Sequence, residues 1–173
     1  MWEKVGKRVT LCCYPDFSPM LQFIGEYEVA VDAKGRFLLP SGLRKQLPEG
    51  AGEKFVISRG FEGCLAMYPL ETYNVLLNNL SKLNDLDPNN RALKRLMTQG
   101  ANVVEPDSAG RLLLSKPHME MAGIKKDMVL SAQANKVELW DKDTYYNYLN
   151  ANANDFSALA ATVAGGSFNP FAE

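Results

Sequence analysis

Residues 32–40 read DAKGRFLLP, and residues 107–115 read DSAGRLLLS. Both run Asp, two small or polar residues, Gly, Arg, then apolar residues. In each, the aspartate (Asp32, Asp107) can hydrogen-bond the backbone ahead of it. The glycine (Gly35, Gly110) can take a positive φ without steric cost, so the opening of the phrase is turn chemistry. One copy would be an ordinary hairpin turn. Two copies in a chain of 173 residues point to a duplicated unit.

The flanking sequence repeats in the same order. KFVIS (54–58) aligns with DMVLS (127–131), and CLAMYPLETYNVLL (64–77) with KVELWDKDTYYNYL (136–149), placing Thr72 and Tyr73 over Thr144 and Tyr145. Repeated blocks in register are the signature of tandem units. In the first unit, EYEVAVD (26–32) alternates as a half-buried strand does, and RFLLP (36–40) is a second strand closing a hairpin. SGLRKQLPEG (41–50) is a short helix stopped by Pro48 and Gly50. EKFVISRG and GCLAMYP make another hairpin around FEG. PLETYNVLLNNLSKL is an amphipathic helix with Tyr73, Leu76, Leu77, Leu80 and Leu83 on one stripe. The second unit runs ANVVEPD, SAGR, LLLS, a short helix KPHMEMAGI, DMVLSAQ, KVELWD and KDTYYNYLNAN.

The expected fold is therefore α+β and strand-rich, with two tandem ββαββ-helix repeats (20–83 and 102–150) packed as a pseudo-twofold pair. Small hairpins cannot bury both faces alone. Residues 84–101 (NDLDPNNRALKRLMTQGA) are expected to be a helical linker. Residues 151–173 are low in charge and rich in Ala, Asn and Gly, and disorder is expected past about residue 155. Residues 1–19 precede the periodic sequence and are expected to be a disordered arm or a misplaced start, with Met20 as the alternative first residue.

Composition narrows the function. Apolar residues make up 46%, charged residues 23%, and the net charge is −1. A core can be filled, but no global positive field attracts nucleic acid, so an anion-binding surface must be local. Cys12, Cys13 and Cys64 show no metal-ligand spacing and no disulfide framework, which suits a reducing cytosol. The apolar runs are too short to span a bilayer, and no export signal is evident. Catalysis has little to stand on. His118 is the single histidine, and no Ser or Cys motif pairs with it as a nucleophile. His118, Met119 and Met121 read as helix edge and core filling rather than a soft-metal site. Glu26 and Glu28 share a strand face without implying chemistry. No phosphate-binding glycine motif is present, and no metal, cofactor or small-molecule substrate is expected.

Charge is concentrated in one place per repeat. KGRFLLPSGLRKQLP (34–48) carries Lys34, Arg36, Arg44 and Lys45 with no acid; GRLLLSKPHMEMAGIKK (110–126) carries Arg111, Lys116, Lys125 and Lys126 against Glu120. Two alternatives stand. Arg36 and Arg111 can pair with Asp32 and Asp107 and lock the turns, or they can bind phosphate. A symmetric pair of β-hairpins, each trailed by cations, can enter a major groove and read it from strand side chains, where the arginine fork grips a phosphate or a guanine edge.

FIGEYEVAVDAKGRFLLPSGLRKQL, the second DSAGRLLLS and VELWDKDTYYNYL together resemble the MraZ family of bacterial transcriptional regulators, over about residues 20–150. The resemblance implies an AbrB-like swapped-hairpin, double-split β-barrel formed by the two SpoVT-AbrB-like repeats. It implies a homo-oligomeric ring that binds double-stranded DNA at G-rich direct repeats. The expected target is the promoter of the division and cell-wall gene cluster, including its own gene, with repression the usual outcome. It places the protein in the cytoplasm, associated with the nucleoid. Arg36 is the first DNA contact it implies, with Lys34 beside it and Arg111 as the equivalent in the second turn. Arg44, Lys45 and Lys116 complete the candidate set. Two departures weaken the second copy: Ala109 stands where the first has Lys34, and Ser115 where the first has Pro40. The alternative function is an antitoxin-like module that holds a protein partner through its tail; a small-barrel enzyme is a more distant third.

Overall fold

The computed structural model describes residues 22–47 and 54–164. The expectations for residues 1–19 and for the end of the tail lie outside these. The first repeat contains β1 (Phe23–Ala30), β2 (Arg36–Leu38), α1 (Ser41–Arg44), β3 (Phe55–Arg59), β4 (Leu65–Pro69), α2 (Leu70–Ser81) and α3 (Pro88–Met97). The second contains β5 (Asn102–Val104), β6 (Arg111–Leu113), α4 (Lys116–Ala122), β7 (Asp127–Ala134), β8 (Lys136–Asp141), α5 (Lys142–Ala153) and α6 (Phe156–Ala164).

The strands pair across the repeats. One antiparallel sheet of six strands has the order β1-β7-β8-β4-β3-β5, and β2 pairs with β6 in a separate ribbon. A pseudo-twofold relation exchanges β1 with β5, β7 with β3 and β8 with β4. It passes through the facing pair Ala66–Glu138 in the sheet and the facing pair Phe37–Leu112 in the ribbon. Both pairs join equivalent positions of the two repeats.

This corrects the first hairpin. RFLLP was expected to close back on β1, but β1 pairs with β7 over its whole length, and β2 takes β6 as its partner. The reason is local. The Asp32 turn is closed by two backbone bonds of its own, Gly35 N to Asp32 O at 2.9 Å and Asp32 N to Arg36 O at 2.8 Å, with no ladder beyond them. A strand of three residues buries its inward side chain only against a partner from the other repeat. The expected hairpins β3–β4 and β7–β8 do form. The strands otherwise make an open sheet plus a ribbon, and no closed barrel forms among the described residues.

The main core lies between the sheet and the ribbon. Phe37, Leu39, Leu112 and Leu114 come down from the ribbon side to meet Ile57, Leu65, Met67, Met128, Leu130 and Leu139 of the sheet. Each such side chain, fully buried, contributes roughly 1.5–3 kcal/mol. Alternation along β7 and β8 sends Val129 and Trp140 to the opposite face, where they pack with Cys64 and Tyr145 under α5. Of the stripe expected on α2, Tyr73 is buried, while Leu77 remains 37% exposed.

Polar contacts tie one repeat to the other. On α5, Tyr145 donates to Glu26 at 2.7 Å, Tyr146 donates to Glu28 at 2.9 Å, and Lys142 pairs with Glu28 at 2.7 Å. The Lys142 hydrogen bond lowers the Glu28 carboxyl, and the Glu28 contact pushes the Tyr146 hydroxyl up to about 12. Glu26 and Glu28 are thus anchors for α5 on β1. The outer edge of β1 is covered locally: the Gln46 amide accepts from Ile24 N at 2.8 Å and donates to Ile24 O at 2.9 Å, which occupies an edge that would otherwise be open.

Residues 156–164 form α6, in place of the disorder expected beyond 155. FSALAATVA is low in charge but rich in alanine, the strongest helix former. α6 follows α5 as α3 follows α2, so helices stand at corresponding places after each repeat's last strand.

Candidate nucleic-acid interface

Each turn is built the same way. Asp32 Oδ1 accepts from Lys34 N at 2.8 Å and Arg36 N at 2.9 Å, while Oδ2 accepts from Arg36 Nε at 2.8 Å and Nη2 at 2.7 Å. Asp107 Oδ1 accepts from Ala109 N and Arg111 N, both at 2.9 Å, and Oδ2 from Arg111 Nε at 2.9 Å and Nη2 at 2.8 Å. The Arg36 guanidinium beside Asp32 is the main reason its carboxyl falls to about 2. Asp107 is lowered first by the backbone N–H of Arg111 and then by its guanidinium.

Of the two alternatives for the arginines, the turn-locking pair is present. It does not use up the arginine. A guanidinium has five N–H donors in a rigid plane, and the Nε–Nη2 edge faces the aspartate. The opposite edge, carrying Nη1, makes no hydrogen bond or ion pair among the described residues. Arg36 and Arg111 keep side-chain exposures of 31% and 36%. The aspartate therefore orients an arginine whose free edge can still make bidentate contacts.

The two turns are held in a fixed relation. Leu114 N donates to Gly35 O at 2.8 Å, and Leu39 N donates to Gly110 O at 3.3 Å. Each turn is thus stitched to the end of the other repeat's strand, at opposite ends of the β2–β6 ribbon. Both glycines have positive φ, 83° at Gly35 and 75° at Gly110.

The other predicted residues separate. Lys34 is exposed on the first turn. Arg44 reaches the second turn rather than its own, with Nη1 3.2 Å from where a Cβ on Gly110 would stand. At the corresponding place on the first turn, Met119 Sδ lies 3.5 Å from a Cβ on Gly35. The second turn, which lacks a counterpart of Lys34, thus has Arg44 from the first repeat beside it. Lys45 is exposed just after α1. Lys116 is 88% exposed at the start of α4, 3.9 Å from Glu120, and neither it nor Lys45 is drawn into a turn. His118 is buried, with Nε2 2.6 Å from Gly100 O; it occupies the α4 position that Leu43 occupies in α1.

Sequence reasoning missed the outward residues of the ribbon. Leu38 and Leu113 were counted with the apolar triples, yet they are 57% and 51% exposed. The signal that finds them is alternation: in RFLL and RLLL only every second side chain can face the core.

Comparison with known proteins agrees with this duplicated plan. One family model, described as "MraZ protein, putative antitoxin-like", matches the chain twice, over residues 22–96 and 97–165. Each match runs from the first strand of a repeat to its last helix. A protein of Christiangramia forsetii named Transcriptional regulator MraZ is 45% identical over 147 residues, covering 84% of this chain and 95% of that protein. Proteins of the same name from Flavobacterium psychrophilum (38% over 147 residues, 84% and 94% covered) and Cytophaga hutchinsonii (37% over 138 residues, 80% and 91% covered) are also similar. With both repeats matched and similarity running through the whole described fold, the chain belongs to the MraZ family.

Proposed function

We propose that the protein is a sequence-specific DNA-binding transcriptional regulator, and that the two Asp-oriented arginines are its principal DNA contacts. The observation that carries this is the doubled turn: two guanidinium groups, each fixed by its own aspartate and each offering a free edge, set on one ribbon about a pseudo-twofold axis. Relatives named as transcriptional regulators support the class of function. In this reading Arg36 and Arg111 grip guanine edges or phosphates. Lys34, on the first turn, and Arg44, beside the second, add phosphate contacts, and Lys45 and Lys116 extend the cationic margin. The finer reading is a homo-oligomeric ring on G-rich direct repeats in its own promoter, within the division and cell-wall gene cluster, acting as a repressor in the nucleoid. The two repeats would complete an AbrB-like swapped-hairpin unit.

Modest affinity per subunit then suffices. Linked contacts raise avidity by roughly 10²–10⁴ when the geometry allows simultaneous engagement. The test is binding of the purified protein to the DNA upstream of its gene, with native mass measured alongside. Arg36→Ala is expected to lose binding while remaining folded and assembled; unchanged affinity would sink the assignment. A second reading, capture of a protein partner through the C-terminal segment, is favoured by one observation: Phe156, Leu159 and Val163 are exposed along α6. Truncation after residue 155 that abolishes a protein contact but spares DNA binding would support it.

A further inference from the structure

The outward face of the β2–β6 ribbon carries four side chains. Arg36 faces Leu113 across the ribbon, and Leu38 faces Arg111. The inward neighbours Phe37 and Leu112 are 1% and 0% exposed, whereas Leu38 and Leu113 stand at 57% and 51%. A single exposed leucine needs no explanation. Here two occupy equivalent positions of two repeats, each two residues along the strand from its own repeat's oriented arginine and directly opposite the other's. Leu38 also approaches the second turn, with Cδ1 3.9 Å from a Cβ position on Gly110, next to Arg44. It borders the shallow groove along β1 lined by Glu26 and Glu28, whose carboxylates are engaged by Tyr145, Tyr146 and Lys142.

A surface that alternates guanidinium groups with small apolar groups selects its partner by charge and by shape. The arginines call for an anionic partner, and the leucines for apolar groups set among its polar edges. The major groove of B-DNA has both: phosphates and guanine acceptors beside the thymine C5-methyl. Two residues of strand advance by about 7 Å, close to two base-pair steps, so an arginine and the leucine after it address bases about two steps apart. The major groove of an A-form RNA helix is too deep and narrow for side chains to read, and uracil has no methyl group.

We propose that Leu38 and Leu113 read thymine methyl groups in the major groove and so act as specificity-determining residues beside the two arginines. This rests on the DNA-binding function proposed above.

The test uses the full-length protein and a duplex of its own upstream region, made once with thymidine and once with deoxyuridine throughout. Deoxyuridine keeps the base pairing and removes only the methyl. Wild type is expected to bind the uracil duplex about fourfold more weakly for each buried methyl lost, hence roughly 15-fold for two. Leu38→Ala/Leu113→Ala is expected to bind thymine DNA more weakly by a similar factor and to show no difference between the duplexes. Equal wild-type affinity for both duplexes would overturn the proposal. So would a double variant that retains the wild-type difference, or one whose native mass falls, which would make the leucines contacts between copies. Arg36→Ala runs in parallel. If no duplex is bound by wild type, the DNA-binding function itself fails; if Arg36→Ala binds thymine DNA as wild type does, the assignment of Arg36 fails; if it loses binding while wild type ignores the methyls, only the leucine assignment fails.

Discussion

The two turns look alike in sequence, yet they should respond very differently to the same substitution. Gly35→Ala and Gly110→Ala both place a side chain at positive φ, 83° and 75°, at a cost of about 1–2 kcal/mol each. Their surroundings differ. A Cβ on Gly35 would overlap the backbone carbonyl oxygen of Leu114, an atom of the other repeat that cannot swing away. Relieving that overlap means moving the chain just after β6, where Leu114 N–H donates to Gly35 O at 2.8 Å. Overpacking of this kind adds about 1–3 kcal/mol. A Cβ on Gly110 meets instead the Nη1 tip of Arg44 at 3.2 Å, the far end of a flexible side chain. We expect a total loss of about 2–5 kcal/mol for Gly35→Ala against about 1–2 for Gly110→Ala. Urea denaturation at one fixed protein concentration, needed because assembly contributes to apparent stability, measures both. Equal losses, or a larger loss at Gly110, would refute the claim that the first turn is wedged against the second repeat's backbone.

Three further outcomes follow from the same geometry. Asp32→Asn keeps an oxygen for the backbone N–H groups but weakens the hold on Arg36. If orientation of the arginine matters most, DNA affinity should fall at least about fivefold, the low end of a good bidentate contact, although a negative charge has been removed; a rise, measured by fluorescence anisotropy, would mean bulk charge dominates. The Asp32 carboxyl, held from an ordinary 3.8 down to about 2 mainly by Arg36, should titrate near pH 2 in carbon-detected NMR. Since the folded-state value is depressed, its stabilising contribution is complete above about pH 4 and is lost as pH falls through about 2; a midpoint near 4 would mean the pair is absent in solution. Cys64 is 1% exposed and its thiol is pushed up to about 12, first by burial and then by Glu138. Alkylation at pH 8 followed by peptide mass spectrometry should therefore leave Cys64 unmodified in the native protein and modify it in urea.

Much of this architecture was legible because it is periodic. The doubled Asp-x-x-Gly-Arg phrase, the paired hairpins and the pseudo-twofold all follow from repeated blocks and turn residues. What escaped was pairing. Nothing in EYEVAVD or RFLLP tells whether a strand folds back on its neighbour or crosses to the other repeat, because both choices bury the same alternate side chains. The swap is decided by three-dimensional closure, with β1 matched to an eight-residue β7 and β2 left with β6. Low charge misdirected the tail, where alanine's helix propensity wins over residues 156–164. At the site, the aspartate–arginine pair was foreseen as an alternative to DNA contact. The geometry allows both, since the pair occupies one edge of the guanidinium. The association of Arg44 with the second turn had no sequence signal at all: it depends on α1 packing beside the other repeat's turn.

The most direct test of the central claim is the salt dependence of binding to the protein's own upstream DNA. Wild type, Arg36→Ala, Arg111→Ala and the double variant would be compared. Each phosphate contact contributes about 0.9 to the slope of log affinity against log salt. If the paired turns form the interface, each single variant should lose affinity and the double variant should retain only weak binding with a shallower slope, at unchanged native mass and fold. A double variant with the wild-type affinity and slope would contradict the account.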